Sequence, residues 1–211
     1  MSGPGLIFDP SRMTAREIYR FMIDAIVPRP IAFVSTRGPG GGFNVAPFSY
    51  FNAITSDPPL IGISINRRKG QPKDTLRNIE DTGEFVVNVV PESLLAQMVR
   101  ASGDWPADAD EFELTGLTPA PAETVRAPRV AEAPVHLECR LHRLIEFGST
   151  TLVVGEIVHA RADERVVTGG RIDPEKLRPV GRLGGDGYAI VHEVVHQARP
   201  RADAPPEGSR T

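Results

Sequence analysis

Between Leu60 and Asn66 the chain alternates, with Ile61, Ile63 and Ile65 set against Gly62 and Ser64. This period of two marks a strand with one buried face. Ile31 to Thr36 reads as another strand. A Gly38-Pro39-Gly40-Gly41-Gly42 turn follows, and Phe43 to Phe51 resumes extended chain, a hairpin signal with a loose loop. Asp57-Pro58-Pro59 forces a further turn. Glu84 to Val90 is rich in β-branched residues, Val135 to Phe147 and Thr150 to Arg161 are two long strands joined by Gly148-Ser149, and Tyr188 to Gln197 is a last strand. Helical spacing is confined to short stretches. Thr14 and Glu17 form a capping box ahead of Ile18, Phe21, Met22, Ala25 and Ile26, and Pro28 stops that helix. Pro72 to Asp81 is a short helix ending near Gly83, and Pro91 starts another from its first turn. Residues 102–134, rich in Asp, Ala and Pro, form a long excursion. Roughly seven strands that do not alternate regularly with helices predict a mainly β protein, a β-barrel with short peripheral helices, and not a doubly wound sheet.

The length of 211 residues favours one domain, although two small ones would fit, and a 40% hydrophobic fraction supplies a sizeable core. We expect the domain over 1–198 and a disordered tail over 199–211, where Pro, Ala and charge replace periodicity. Net charge is −3 with Lys and Arg scattered, which argues against nucleic acid as the main partner. No apolar run approaches ~20 residues, so no membrane span is expected. The N-terminus lacks a basic region followed by an apolar core and does not read as a secretory signal. The single Cys139 cannot form an intrachain disulfide, which fits a reducing, cytoplasmic compartment.

Two segments carry candidate chemistry. Asp74 or Thr75 can cap the helix containing Leu76, Ile79 and Glu80. Unpaired N–H groups and the helix dipole make such a start an anion site, and Arg67, Arg68, Lys69 and Lys73 lie just upstream. An ordinary capped helix beside a solvated basic loop accounts for the same residues. At Ser49-Tyr50-Phe51-Asn52-Ala53-Ile54-Thr55, polar side chains alternate with aromatics at a strand end. A flat heteroaromatic ring needs such an edge of backbone polar groups beside apolar surface, though plain core packing would also use Tyr50 and Phe51. A ring-edge segment followed one strand later by an anion-binding helix start is the order a mononucleotide needs.

The strings RPIAFVST (Arg29 to Thr36), NVAPFSYFNAITSDPPL (Asn44 to Leu60) and PKDTLRNI (Pro72 to Ile79) resemble the flavin reductase-like FMN-binding split-barrel family. The nearest branch is that of flavoredoxin and the reductase component of nitrilotriacetate monooxygenase, which RIDPEKLRPVGRLGGDGYA (Arg171 to Ala189) also resembles. The resemblance implies a six-stranded Greek-key split barrel and a homodimer with FMN near its interface. It places Asn66, Arg67, Lys73 and Thr75 at the phosphate and Ser49, Tyr50, Phe51, Asn52, Ala53, Ile54 and Thr55 along the ring and ribityl chain. Arg29 and Pro30 would sit near the ring, with Leu183 and Tyr188 closing the pocket. It further implies NADH or NADPH as electron donor and a partner monooxygenase or other acceptor, or, as the alternative, an electron carrier or sensor without reductase turnover.

Other motifs are weaker. His192-Glu193-Val194-Val195-His196 matches H-E-x-x-H, but that zinc signature needs a helix. On the strand expected here, residues four apart are about 13 Å from one another. The glycines of 38–42 and 181–187 do not sit between a strand and a helix, so the dinucleotide fingerprint fails. Asp108, Asp110, Glu111 and Glu113 lack the central Gly of a calcium loop and read as a solvated acidic run.

Overall fold

The computed structural model describes residues 5–67, 70–106 and 109–199. A 3-10 turn precedes helix α1 (Ala15–Ala25), followed by strands β1 (Arg29–Pro30), β2 (Ala32–Arg37), β3 (Phe43–Phe48), β4 (Phe51–Ser56) and β5 (Pro59–Asn66). Next come α2 (Asp74–Thr82), β6 (Glu84–Val89), α3 (Leu95–Ala101), α4 (Glu111–Thr115), β7 (Pro119–Ala120), β8 (Arg129–Val130), β9 (Val135–Phe147) and β10 (Thr150–Ala162). The chain continues through β11 (Val167–Thr168), β12 (Arg171–Ile172), α5 (Pro174–Leu177), β13 (Val180–Arg182) and β14 (Tyr188–Ile190).

The main sheet has seven strands in the order β3-β2-β6-β9-β10-β5-β4, each pair antiparallel. With strands about 4.8 Å apart, a flat sheet of this order would separate its edges by roughly 29 Å. The two edges, β3 and β4, are consecutive in the chain and joined only by Ser49 and Tyr50. Phe48 and Phe51 therefore lie within about 11 Å, the reach of three extended residues. The sheet must roll into a barrel whose split is bridged by that two-residue bend. The stretch expected as one extended run from Phe43 to Phe51 is thus broken, and β4 adds a strand to the six that the resemblance implied.

Inside the barrel, Ala32, Val34, Phe48, Ile61, Ile63, Ile65, Phe85, Val87, Cys139 and Val153 pack together, with Leu76 and Ile79 of α2 against them. The other face of β2 carries Phe33, with Ile31 just before the strand, into a second cluster with Val45, Val90, Leu94, Met98, Phe112, Leu117, Val130 and Val180. The period of two sends alternate residues of β2 to two cores, so the strand is buried on both faces. At Val154/Gly155 the β9–β10 register shifts. A Cβ on Gly155 would run into the Phe85 ring, whose Cε1 would lie 2.9 Å away, so glycine here makes room for that core ring. Burial, helped by the charge of Glu138, raises the pKa of the Cys139 thiol, as suits an inert core residue.

Four expectations change. α2 begins earlier than a cap at Asp74 or Thr75 would allow: its N-cap is Lys73, which makes no side-chain cap, and Asp74 is already its first residue. Asp74 is paired with Arg77 and the Thr75 hydroxyl donates to Asn44, so neither is free to cap. Pro91 caps a 3-10 turn (Glu92–Leu94), and α3 starts only at Leu95. The last strand stops at Ile190, because β14 pairs only with the three residues of β13. Val191–Arg199 has no regular secondary structure, so the H-E-x-x-H residues share no helical face; Arg178 Nη2 donates to His192 Nδ1 at 2.7 Å. The 102–134 excursion is partly folded, as α4, β7 and β8, and it packs Phe112, Leu117 and Val130 into the second core. The expected tail beyond Arg199, and Asp108 of the acidic run, lie outside the described residues. Among the described residues no group of three His, Cys, Asp or Glu is placed to hold a metal, and no helix is long and apolar enough to cross a membrane.

Glu138 pins the excursion to the barrel wall. Its buried carboxylate accepts from the Glu123 N–H (2.9 Å), the Thr124 N–H (2.7 Å), the Thr124 hydroxyl (2.7 Å) and His159 Nδ1 (3.2 Å). Burial alone would raise its pKa; the donors outweigh burial and lower it. Glu138→Gln is expected to cost about 2 kcal/mol at neutral pH, the scale of charged hydrogen bonds. A group with a depressed folded pKa stabilises above its unfolded pKa and loses that contribution as pH falls through the folded one. The gap between wild type and E138Q in urea unfolding should therefore shrink below pH about 4.3.

Candidate functional site

The Ser49-Tyr50 bend and the start of α2 lie on two sides of the end of β3. On one side, a cavity of about 340 Å³ is lined by Arg29, Pro30, Ser49, Tyr50, Phe51 and Asn52, with Met22, Ile26 and Pro28 as further apolar wall. On the other, a cavity of about 370 Å³ is lined by Asn44, Ala46, Pro47, Lys73, Asp74 and Thr75, with Arg77, Trp105 and Glu111 around them. Pro47 borders one cavity and Ser49 the other, so their nearest walls are two residues apart. Between them, Lys73 Nζ sits 5.5 Å above the Phe48 ring centre.

The first cavity has the composition a flat ring needs: aromatic and aliphatic walls, with main-chain polar groups at a strand break. Burial, with repulsion from Tyr19, raises the Tyr50 pKa, so its phenol is a neutral donor at physiological pH. Arg29 is buried here, with its guanidinium committed to the protein. Nη1 donates to the carbonyls of Ile23 (2.6 Å) and Ile26 (3.0 Å), Nη2 to that of Leu183 (3.0 Å), and Nε reaches Ser49 Oγ at 3.5 Å. It ties the end of α1, the turn before β14 and the ring-edge bend into one unit. Ala53, Ile54 and Thr55 do not line this cavity; they continue along the exposed edge strand β4, where a register shift between Ala53 and Thr55 leaves Ile54 unpaired. Tyr188 stacks under the Arg182 guanidinium, 4.5 Å from its ring centre, and packs against the second core.

At the second cavity the N-cap of α2, Lys73, makes no side-chain cap. The leading N–H groups and positive dipole end of α2, with Lys73 beside them, make a candidate anion site. The Thr75 hydroxyl points inward and donates to Asn44 Oδ1 at 2.7 Å, so Thr75 can serve an anion through its backbone N–H. Asn66 and Arg67 are not part of this cavity. They end β5 beside the Gly148-Ser149 turn, where Asn66 Oδ1 accepts from Thr150 Oγ1 (2.6 Å) and Arg67 pairs with Glu146 (2.8 Å). Arg68 and Lys69 lie outside the described residues.

Sequence reasoning missed Asn44, Trp105 and Glu111, and the apolar wall from α1. Asn44 opens the NVAPFSYFNAIT string and could have been found there; Glu111 was hidden in an acidic run with no periodicity.

A split barrel with an aromatic ring-edge cavity next to an uncapped, lysine-flanked helix start fits a flavoprotein oxidoreductase. The chain belongs to the flavin reductase-like family, whose domain model matches residues 24–172. It is similar to nitrilotriacetate monooxygenase component B from Bacillus cereus, with 37% identity and a TM-score of 0.89 over 93% of this chain and 100% of that one. It is also similar to the 2-nitrobenzoate 2-nitroreductase of Pseudomonas fluorescens, with 33% identity and a TM-score of 0.87 over 96% and 100%. Flavoredoxin of Desulfovibrio vulgaris shares 28% identity and a TM-score of 0.74 over 82% and 92%.

Proposed function

We propose that the protein binds FMN across the two cavities and acts as an NADH- or NADPH-dependent flavin reductase. The observation that carries this reading is the adjacency of the ring-edge cavity and the anion site at the end of β3. The residues fit the cofactor: Tyr50, Phe51, Met22 and Ile26 give apolar surface to a ring, and α2 with Lys73 gives a phosphate its donors. Bound FMN supplies the hydride acceptor and the means of passing two electrons on. The protein holds the ring, shields it from water and fixes the phosphate. The likeness to a monooxygenase component supports a partner monooxygenase as the electron acceptor, and the likeness to a nitroreductase supports a small acceptor at the same ring. The likeness to flavoredoxin supports the second reading, a carrier without reductase turnover.

We further propose a homodimer. α1 buries none of its residues in its own chain, and Phe21, Met22 and Ile26 on its apolar stripe are 40%, 39% and 58% exposed. Met22 and Ile26 border the ring-edge cavity, so a second copy laid on α1 and β4 would cover that cavity. A cytoplasmic location fits a nicotinamide-dependent enzyme.

Titration with FMN, followed by visible absorbance, tests the reading. Bound flavin bands, a two-subunit mass in sedimentation and FMN-dependent oxidation of NADH or NADPH are expected. Tight FMN without turnover would favour the carrier, and no binding of FMN would refute both.

A further inference from the structure

Beneath the first turn of α2 runs a chain of polar side chains that the cofactor reading leaves unused. Asn78 Nδ2 donates to Thr36 Oγ1 (2.9 Å), and Thr36 Oγ1 donates to Asn44 Oδ1 (3.4 Å). Thr75 Oγ1 donates to the same Asn44 oxygen (2.7 Å), which leaves Asn44 Nδ2 to donate to Glu111 Oε1 (2.9 Å). The directions interlock, because each hydroxyl has one proton to give. They end on Glu111, which is only 9% exposed and lines the anion cavity, and whose Oε2 has no hydrogen-bond partner among the described residues.

A buried carboxylate oxygen without a donor is costly, whereas a protonated one becomes a donor in search of an acceptor. Burial raises the Glu111 pKa, helped by the nearby charge of Asp74 and opposed by the Asn44 amide and the backbone N–H groups of Glu111 and Val45 that face the carboxyl. The acceptor that this cavity is built to hold is an anion at the start of α2. We propose that Glu111 belongs to the phosphate site: as a neutral acid it donates from Oε2 to a phosphomonoester held at the α2 N-terminus, and as a carboxylate it repels that group. The proposal rests on the FMN reading and adds a proton to it: binding of the phosphorylated ligand is coupled to protonation of Glu111.

Among the described residues the other charged groups on this cavity are Lys73, which precedes α2, Asp74 and Arg77 of α2, and Asp104 of the loop before α4. Asp110 and Glu113 share the acidic first turn of α4, β3 presents Asn44, and α3 packs its apolar Met98 and Ala101 into the adjoining core. All of these are retained in a Glu111→Gln variant, which carries an N–H donor at every pH and never a charge.

The test measures FMN and riboflavin affinity from pH about 5.5 to 8.5 for wild type, E111Q and E111A. The second ionisation of the phosphate, near pH about 6, is common to all three and cancels in the comparison. The deficit of wild type relative to E111Q should widen as pH rises, reaching about tenfold or more at the alkaline end, the scale of one like charge. E111A, without a donor, should bind FMN more weakly than E111Q at acid pH. Riboflavin affinity should match in all three, which also reports that the variants fold. Parallel FMN curves for wild type and E111Q, or equal shifts for riboflavin, would overturn the role of Glu111 while leaving FMN binding intact. A wild type that binds neither flavin would overturn the cofactor reading and this proposal with it.

Discussion

An Arg29→Ala variant is expected to melt roughly 6–12 °C below wild type, the shift that about 3 kcal/mol produces in a chain of this size. The guanidinium is buried and donates to three main-chain carbonyls, of Ile23, Ile26 and Leu183. Charged hydrogen bonds each contribute about 1.5–3 kcal/mol. Two of the three carbonyls close the C-terminal turn of α1, where a cation is further favoured by the helix dipole. Because α1 is exposed, water can replace part of the loss there; the Leu183 carbonyl belongs to a turn held near Arg29 by this contact and by the β1–β13 pairing. Arg29→Lys should rescue little, since an ammonium on a flexible stem cannot fork to three fixed carbonyls. The same variants should weaken FMN and riboflavin by equal factors, because Arg29 and Ser49 line the cavity proposed for the ring. Differential scanning calorimetry gives the first outcome and flavin titration the second. A melting temperature within about 2 °C of wild type would show that the clamp is not structural.

Much of this arrangement was legible along the chain, for identifiable reasons. The capping box at Thr14 and Glu17 formed as read, with the Thr14 N–H donating to Glu17 Oε2 at 2.8 Å and the Glu17 N–H to Thr14 Oγ1 at 3.3 Å, because it is a local exchange of bonds. β5 and the β9–β10 hairpin follow patterns of a few residues and were found within a residue or two of their ends. What local pattern could not express was which strands become neighbours. The break at Ser49-Tyr50 depends on a sheet that closes on itself, so Phe43 to Thr55 looked like one strand and a polar bend. β14 ends at Ile190 for lack of a partner, although Val191, Val194 and Val195 keep a strand-like composition. The apolar stripe of α1 was read correctly as a helix face, yet nothing in it distinguishes packing on its own chain from packing on a second copy. In the site, Lys73 and Thr75 border one cavity. Asn66 and Arg67 were set apart by the direction of β5, which delivers its end to the Gly148-Ser149 turn. Glu111 had no motif at all: what singles it out is burial and an Oε2 without a partner among the described residues, and both come from tertiary structure.

Lys73→Glu is expected to weaken FMN about 100-fold or more while leaving riboflavin affinity within about twofold. A unit charge 4 Å from a phosphate is worth about 4 kcal/mol at an effective dielectric constant near 20, and the exposed position of Lys73 screens part of this. Each 1.4 kcal/mol corresponds to tenfold in affinity, so reversing the charge gives two decades even after that discount. Lys73→Ala removes the cation without replacing it and should cost about tenfold, since the N–H groups of the first turn of α2 remain. Both losses should shrink as salt rises, which an effect on folding or on the ring cavity would not do. Lys73 also touches the Phe48 ring, so a small common loss for both flavins is expected from that contact. The contrast with Arg29 then separates the two ends of the cofactor: Lys73 variants discriminate against the phosphorylated flavin, whereas Arg29 variants do not discriminate. Equal losses of FMN and riboflavin in Lys73→Glu would remove the phosphate from the start of α2 and return Asn66 and Arg67, at the end of β5, as the anion-binding pair.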